Sequence, residues 1–178
     1  MRLQSLVITS MLPVYIPLPF IYKSSNSFEF PITWHIPTII LLTLIFHKKV
    51  VFQAYSIYMI LGLFIAPVFH QGGSIGYLLT PNFGYLLGIY PLIKIIDNLN
   101  TRNTINVRNF LINGFMAIIA MHLTGIFYNF MQIIFYGQLN TFLYSLGKYT
   151  VGKIGYHFLI LLPLLLLIKP IKHLKISK

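Results

Sequence analysis

The sequence predicts an all-α integral membrane protein, a bundle of six transmembrane helices forming a single transmembrane domain over residues 1–178, and three observations carry that prediction. Hydrophobic residues make up 57% of the chain and charged residues 8%, where a soluble domain carries about 25% charge. One globular core cannot bury that much apolar surface, so part of it faces lipid. The apolar residues also fall into six long runs separated by short polar stretches. Finally, thirteen Lys and Arg oppose only Glu29 and Asp97, a net charge of +11, and the basic residues stand singly between apolar runs. A nucleic-acid binder gathers them on one polar face among aromatics, so no nucleic acid is expected as partner.

A helix needs about 20 apolar residues to cross the hydrocarbon core, fewer where flanking residues snorkel or the helix borders a cavity. On that measure the candidate segments are 3–22, 33–46, 50–69, 77–96, 110–135 and 152–168. The first begins with one Arg but ends without a small-x-small cleavage site, and so reads as a retained helix rather than a signal peptide. Pro13, Pro17 and Pro19 interrupt it, and Pro37 lies in the second segment, which is a turn short. Helices broken in this way are tolerated in lipid where protein covers the freed carbonyls or a wet cavity does, although a plain structural kink explains them equally well.

Six spans put both termini on one side. Arg2, Lys48, Lys49, Lys94, Arg102, Arg108, Lys169, Lys172, Lys175 and Lys178 share that side, and Lys23, Lys148 and Lys153 fall on the other. By the positive-inside rule the termini are cytoplasmic, so loops 22–32, 70–76 and 136–151 face outward. The short, basic inner loops suit anionic lipid headgroups or a cytoplasmic partner. There is no inverted repeat, no phosphate-binding loop and no soluble domain, so energy for any transport must come from another polypeptide or from a gradient.

The absence of cysteine rules out disulfides, thiolate metal sites and a Cys nucleophile. His35, His47, His70 and His157 show no metal-ligand spacing, so neither metal nor cofactor is expected. A lipid-modifying enzyme finds little support, with only two acids and both in loops.

The most informative stretch is 71–88, Q-G-G-S-I-G-Y-L-L-T-P-N-F-G-Y-L-L-G, with five glycines. It reads as an outer loop folding over a site and then entering the fourth helix near Pro81 or Asn82, where unpaired N–H groups suit an anionic ligand. Gly84 and Gly88, spaced G-x-x-x-G, also suit tight helix packing. In the fifth segment His122 and Asn129 lie two turns apart on one face, placed to line a cavity or to bond between helices. Tyr128 and Trp34 suit either stacking on a fused-ring ligand or anchoring at the interface.

On these residues the chain resembles the BioY family, the biotin-binding S components of energy-coupling-factor (ECF) transporters, and most closely its cyanobacterial branch. Pro81, Asn82, Phe83, Gly84, Tyr85, Leu86, Leu87, Gly88 and Ile89 stand where the family has P-T-F-G-Y-L-L-G-F, with Asn82 for Thr and Ile89 for Phe. Pro31, Ile32, Thr33, Trp34 and His35 resemble its P-F-T-L-Q, residues 61–73 its L-G-L-P-V-F-x-x-G-G, and H-L-T-G-I-F-Y at 122–128 the branch's H-L-x-G-I-x-Y. The resemblance implies a six-helix bundle of the ECF S-component type in the bacterial plasma membrane. It also implies biotin as ligand, an ECF transmembrane subunit and ATPase subunits as partners, and no enzymatic activity.

Departures bear on the ligand. In much of the family the sixth helix opens P-G-D-x-x-K, whose Asp and Lys help hold biotin; here the acid has become Lys153 and the base Tyr156. Ser74 replaces an Asn that follows the paired glycines in some members. The first-helix A-x-x-x-A that contacts the energising membrane subunit is missing, Ser5 and Thr9 being the nearest small pair. The expected substrate-binding set is therefore Ser74, Asn82, Gly84, Tyr85, Lys153 and Tyr156, within one outward-facing pocket for Asn82, Tyr85 and Lys153. Two roles fit Lys153, an ion pair with a ligand carboxylate such as biotin's valerate and simple snorkelling to the interface. The changed sixth-helix ligands leave a different small vitamin or precursor as the alternative substrate.

Overall fold

In the computed structural model, which describes residues 2–17, 27–69, 72–101, 106–137, 139–167 and 170, helical segments occur in the order the hydropathy predicts. Helix α1 (Arg2–Met11) is much shorter than the first apolar segment. Proline fixes φ and lacks an N–H, so from Pro13 the chain runs extended as β1 (Pro13–Pro17) and pairs antiparallel with β2 (Ser27–Thr33), Tyr15 opposite Glu29. The first segment is thus a short helix joined to a hairpin rather than one broken span; residues 18–22 lie outside the described residues.

Trp34 N–H bonds the Leu12 carbonyl at 3.0 Å and leads into α2 (His35–Ile45). Helix α3 (Lys48–Phe64) starts at His47, whose ring accepts from Lys49 N–H at 3.3 Å. Beyond it the chain folds back, with Ser74 N–H on the Gly62 carbonyl at 2.9 Å. That return needs φ of +113° at Gly72 and +100° at Ser74, the second costly for a residue with a Cβ. A 3-10 turn (Ile75–Leu79) precedes α4 (Pro81–Leu87), which has Pro at its first position, and α5 (Ile89–Thr101) continues past Gly88.

Helix α6 (Val107–Tyr136) runs 30 residues, capped by the Asn106 side chain on Asn109 N–H at 2.8 Å and ended by Gly137 at φ +67°. Among the described residues it is the one helix long and apolar enough by itself to cross a membrane. Its two faces differ as lipid and protein would require: Leu123, Phe127, Phe130 and Ile134 are exposed, while Gly114, Ala117, Ile118, Met121, His122, Gly125 and Asn129 are buried. The stretch 136–151, expected to be an outer loop, contains α7 (Leu139–Ser145) and a π turn (Leu146–Val151) before α8 (Gly152–Leu159) and α9 (Leu161–Leu165), which together form the sixth segment.

Ile39, Ile40, Leu44, Leu92, Ile93, Ile96, Ala117, Ile118 and Leu161 form the centre of the bundle, where α2, α5, α6 and α9 meet. Gly84 and Gly88 bring α4 and α5 against α6: a Cβ on Gly84 would lie 2.5 Å from the Tyr128 Cβ, and one on Gly88 would strike the Met121 backbone. The G-x-x-x-G spacing therefore serves close packing. At the end of the bundle where α3 begins, Lys48 pairs with the buried Asp97 at 3.3 Å.

Candidate functional site

The C-terminal end of α1, the hairpin, and the starts of α2, α4 and α8 converge at the end of the bundle opposite Lys48 and Asp97, and enclose a cavity of about 190 Å³. That exceeds the ~150 Å³ of an apolar cavity able to hold benzene. Its lining is mixed: Pro13, Pro31, Ile32, Ile36, Leu86, Ile89 and Met121 are apolar, and Ser10, Thr33, His35, Tyr58, Tyr77, Asn82, Tyr85, Tyr149, Lys153 and His157 carry polar atoms. Such a wall suits a small ligand with an apolar body and a few polar groups.

Each polar side chain has a local reason for its position. Asn82, in the first turn of α4, donates to the Tyr77 hydroxyl at 2.6 Å. Tyr85, one turn on, lies against Gly125, where an added Cβ would come within 2.5 Å of its ring, and its hydroxyl meets Thr150 Oγ1 at 2.7 Å. Ser10 donates to the Val68 carbonyl at 3.0 Å, tying α1 to the loop after α3. His35 Nδ1 meets the Leu6 carbonyl at 3.2 Å, and its Nε2 is buried without a hydrogen-bond partner among the described residues. His122 Nε2 lies 3.0 Å from His157 Nδ1, joining α6 to α8.

The charge here is positive. Lys153 Nζ is 5.3 Å and Lys148 Nζ 5.4 Å from the centre of the Tyr149 ring, so two ammonium groups lie against one aromatic ring. Neither meets a carboxylate among the described side chains. A half-buried ammonium beside tyrosine hydroxyls and imidazoles attracts an anionic group, and the described residues present no cluster able to hold a metal ion.

Of the six residues expected to bind substrate, the structure brings Asn82, Tyr85 and Lys153 together on this cavity. The other three do not line it. Ser74 is exposed on a separate hollow with Leu63, Phe64 and Pro67, because its positive-φ turn carries it outward. Gly84 faces α6, and Tyr156 packs against Val14, Ile32 and Ile160 beneath the hairpin. The Tyr85 hydroxyl, expected to serve the ligand, is engaged by Thr150. Trp34 caps α2 and Tyr128 bonds the Leu78 carbonyl with its ring against Phe83, so neither lines the cavity. Of the pair on α6, His122 bonds between helices, and the buried Asn129 borders another hollow, about 230 Å³, beside α7. His35, Tyr58, Tyr77, Tyr149 and His157 were not anticipated; for His157 the signal was its position four residues after Lys153, on the same helical face.

Three comparisons bear on this arrangement. The crystal structure of the S-component for biotin from an ECF-type ABC transporter superposes with a TM-score of 0.57 at 21% identity, covering 98% of this chain and 86% of that one. This likeness establishes the fold, an all-α membrane bundle of the S-component type. The "Probable biotin transporter BioY" of Lysinibacillus sphaericus is 27% identical over 121 residues, 67% of this chain. The chain spans 57% of that relative's length. The model described as the BioY family matches residues 3–167, from α1 through α9. The chain is a bacterial membrane protein and belongs to the BioY family.

Proposed function

We propose that this chain is the substrate-binding membrane subunit of a biotin uptake system, energised by an ECF transmembrane subunit and ATPase subunits on separate chains. The observation that carries the reading is the cavity in which Asn82, Tyr85 and Lys153 meet, in a chain whose family match runs across nearly its whole length. The relatives named above are described by biotin transport or biotin binding, and a cavity of mixed lining with a cation at its edge suits a fused-ring vitamin with a carboxylate tail. Asn82, Tyr85 and Lys153 are the proposed contacts, with Gly84 and Tyr156 acting through the packing that positions them; Ser74 shapes the covering loop. The chain binds and releases its ligand without making or breaking a bond.

In this reading residues 1–178 form one multi-pass domain in the plasma membrane with both termini cytoplasmic, as the ten-to-three division of Lys and Arg supports. The cavity then opens outward. Reporter fusions test the topology: a C-terminal tag accessible from outside intact cells overturns it.

One observation favours a different small vitamin or precursor as the alternative, the replacement of the family's sixth-helix acid and base by Lys153 and Tyr156. Mass spectrometry of ligand retained by the detergent-purified protein separates the two. Biotin is the expected compound, and another vitamin in its place refutes the first reading while leaving the architecture intact.

A further inference from the structure

We propose that His122 and His157 form a hydrogen-bond relay that presents the His157 Nε2–H to the cavity, where it and the Lys153 ammonium together grip the carboxylate of the ligand. The proposal rests on the cavity being the ligand site.

Lys153 and His157 are four residues apart on α8, so their side chains project from one face, and both line the cavity. His157 is 6% exposed and His122 2%, so His157 is a fixed part of the wall and His122 stands buried behind it. The Tyr85 ring stands nearly edge-on to His122, at 5.7 Å between centroids and 73° between planes, and holds that ring from the cavity side. The 3.0 Å contact uses His122 Nε2 and His157 Nδ1, which leaves His157 Nε2 as the nitrogen available to the cavity and His122 Nδ1 buried without a partner among the described residues.

A neutral imidazole carries one N–H and one lone pair, so a contact between two neutral rings has two possible arrangements. If His157 Nδ1–H donates, the N–H of His122 moves to Nδ1 and is stranded in the interior, and His157 shows a lone pair to the cavity. If His122 Nε2–H donates, the stranded atom is only a lone pair, and His157 shows an N–H to the cavity. Orphaned buried N–H groups are rarer than unsatisfied acceptors, which favours the second arrangement. A bound carboxylate favours it again, since it accepts from His157 and from Lys153 and is repelled by a lone pair. His122 is thus a positioning residue, setting what His157 offers, and Lys153 supplies the charge.

The test uses the full chain in nanodiscs, with biotin and biotinamide, its neutral amide, as probes. His157→Phe keeps a flat aromatic ring and removes the donor; it is expected to weaken biotin binding about tenfold or more, and biotinamide binding less than about threefold. His157→Gln, whose amide N–H reaches near the Nε2 position, should restore more affinity than His157→Asn, whose amide lies nearer Nδ1. In the biotin-bound wild type, ¹⁵N spectra of labelled histidine are expected to show His157 protonated on Nε2 and His122 on Nε2. His122→Phe should leave His157 without a fixed tautomer.

Unchanged biotin affinity in His157→Phe overturns the clamp, as does equal loss for biotin and biotinamide, which would put His157 against the rings instead. A bound-state His157 protonated on Nδ1 overturns the relay. A wild type that binds no biotin at all removes the ligand assignment and the clamp with it, an outcome distinct from a wild type that binds while its His157 variants are unaffected.

Discussion

Replacing Lys153 by Ala tests the site most directly. The ammonium is half-buried at the cavity, 5.3 Å from the Tyr149 ring, and meets no carboxylate among the described side chains. Two unit charges 4 Å apart interact by about 4 kcal/mol at an effective dielectric of 20. Desolvating the ligand carboxylate and ordering the lysine chain take back about half, leaving on the order of 2 kcal/mol, roughly thirtyfold in affinity. Lys153→Gln should recover little, because a neutral amide does not restore the charge. Lys148 is exposed beyond the same ring, and Lys148→Ala should change affinity less than about threefold, and then chiefly at low salt. Equilibrium binding of labelled biotin to the purified variants, alongside thermal unfolding to exclude misfolding, reads all three. Unchanged affinity in Lys153→Ala refutes the reasoning: the side chain then snorkels to the interface and the carboxylate is held elsewhere.

Three further predictions concern the frame of the site. Tyr85→Phe and Thr150→Val each remove the same 2.7 Å hydrogen bond, so each should cost about 1 kcal/mol of stability and the double variant little more than either alone; simple additivity in thermal unfolding contradicts the bond. Gly125→Ala places a Cβ 2.5 Å from the Tyr85 ring and should cost about 1 to 3 kcal/mol while lowering biotin affinity, whereas Gly155→Ala, with open space around it, should be neutral in both assays. Lys48→Met weakens the compensation of the buried Asp97 and should lower stability by about 1 kcal/mol without altering biotin binding, the cavity being at the other end of the bundle; Lys48→Arg should behave as wild type.

Hydropathy and charge located the helices because both are properties of single segments. The six apolar runs appear in sequence order, Pro81 opens α4 as its fixed φ favours, and the exposed and buried faces of α6 follow from helical periodicity. The hairpin was not legible. Pro13 and Pro17 announce that a helix cannot continue, but they do not say that the chain beyond them pairs with 27–33, since strand pairing depends on a partner ten or more residues away. The region after α3 illustrates the same limit, because Gly72 and Ser74 at positive φ turn the loop so that Ser74 faces outward, and no residue preference near Ser74 predicts that direction.

The residues missed at the site share a physical reason. Tyr58, Tyr77 and Tyr149 come from α3, the turn before α4 and the π turn before α8, and each looks locally like an interface aromatic. They become cavity walls only once the helices are packed, and that packing is set by glycines rather than by the tyrosines themselves. Gly84 admits Tyr128, Gly88 admits the α6 backbone at Met121, and Gly125 admits the Tyr85 ring, so α4, α5 and α6 approach closely along one seam. At the cavity end of that seam Tyr85 reaches His122 and Thr150, and through them the segment that carries Lys153 and His157. The small residues and the polar ones are therefore parts of one device: the first set the spacing of the helices, and that spacing decides which polar side chains line the cavity.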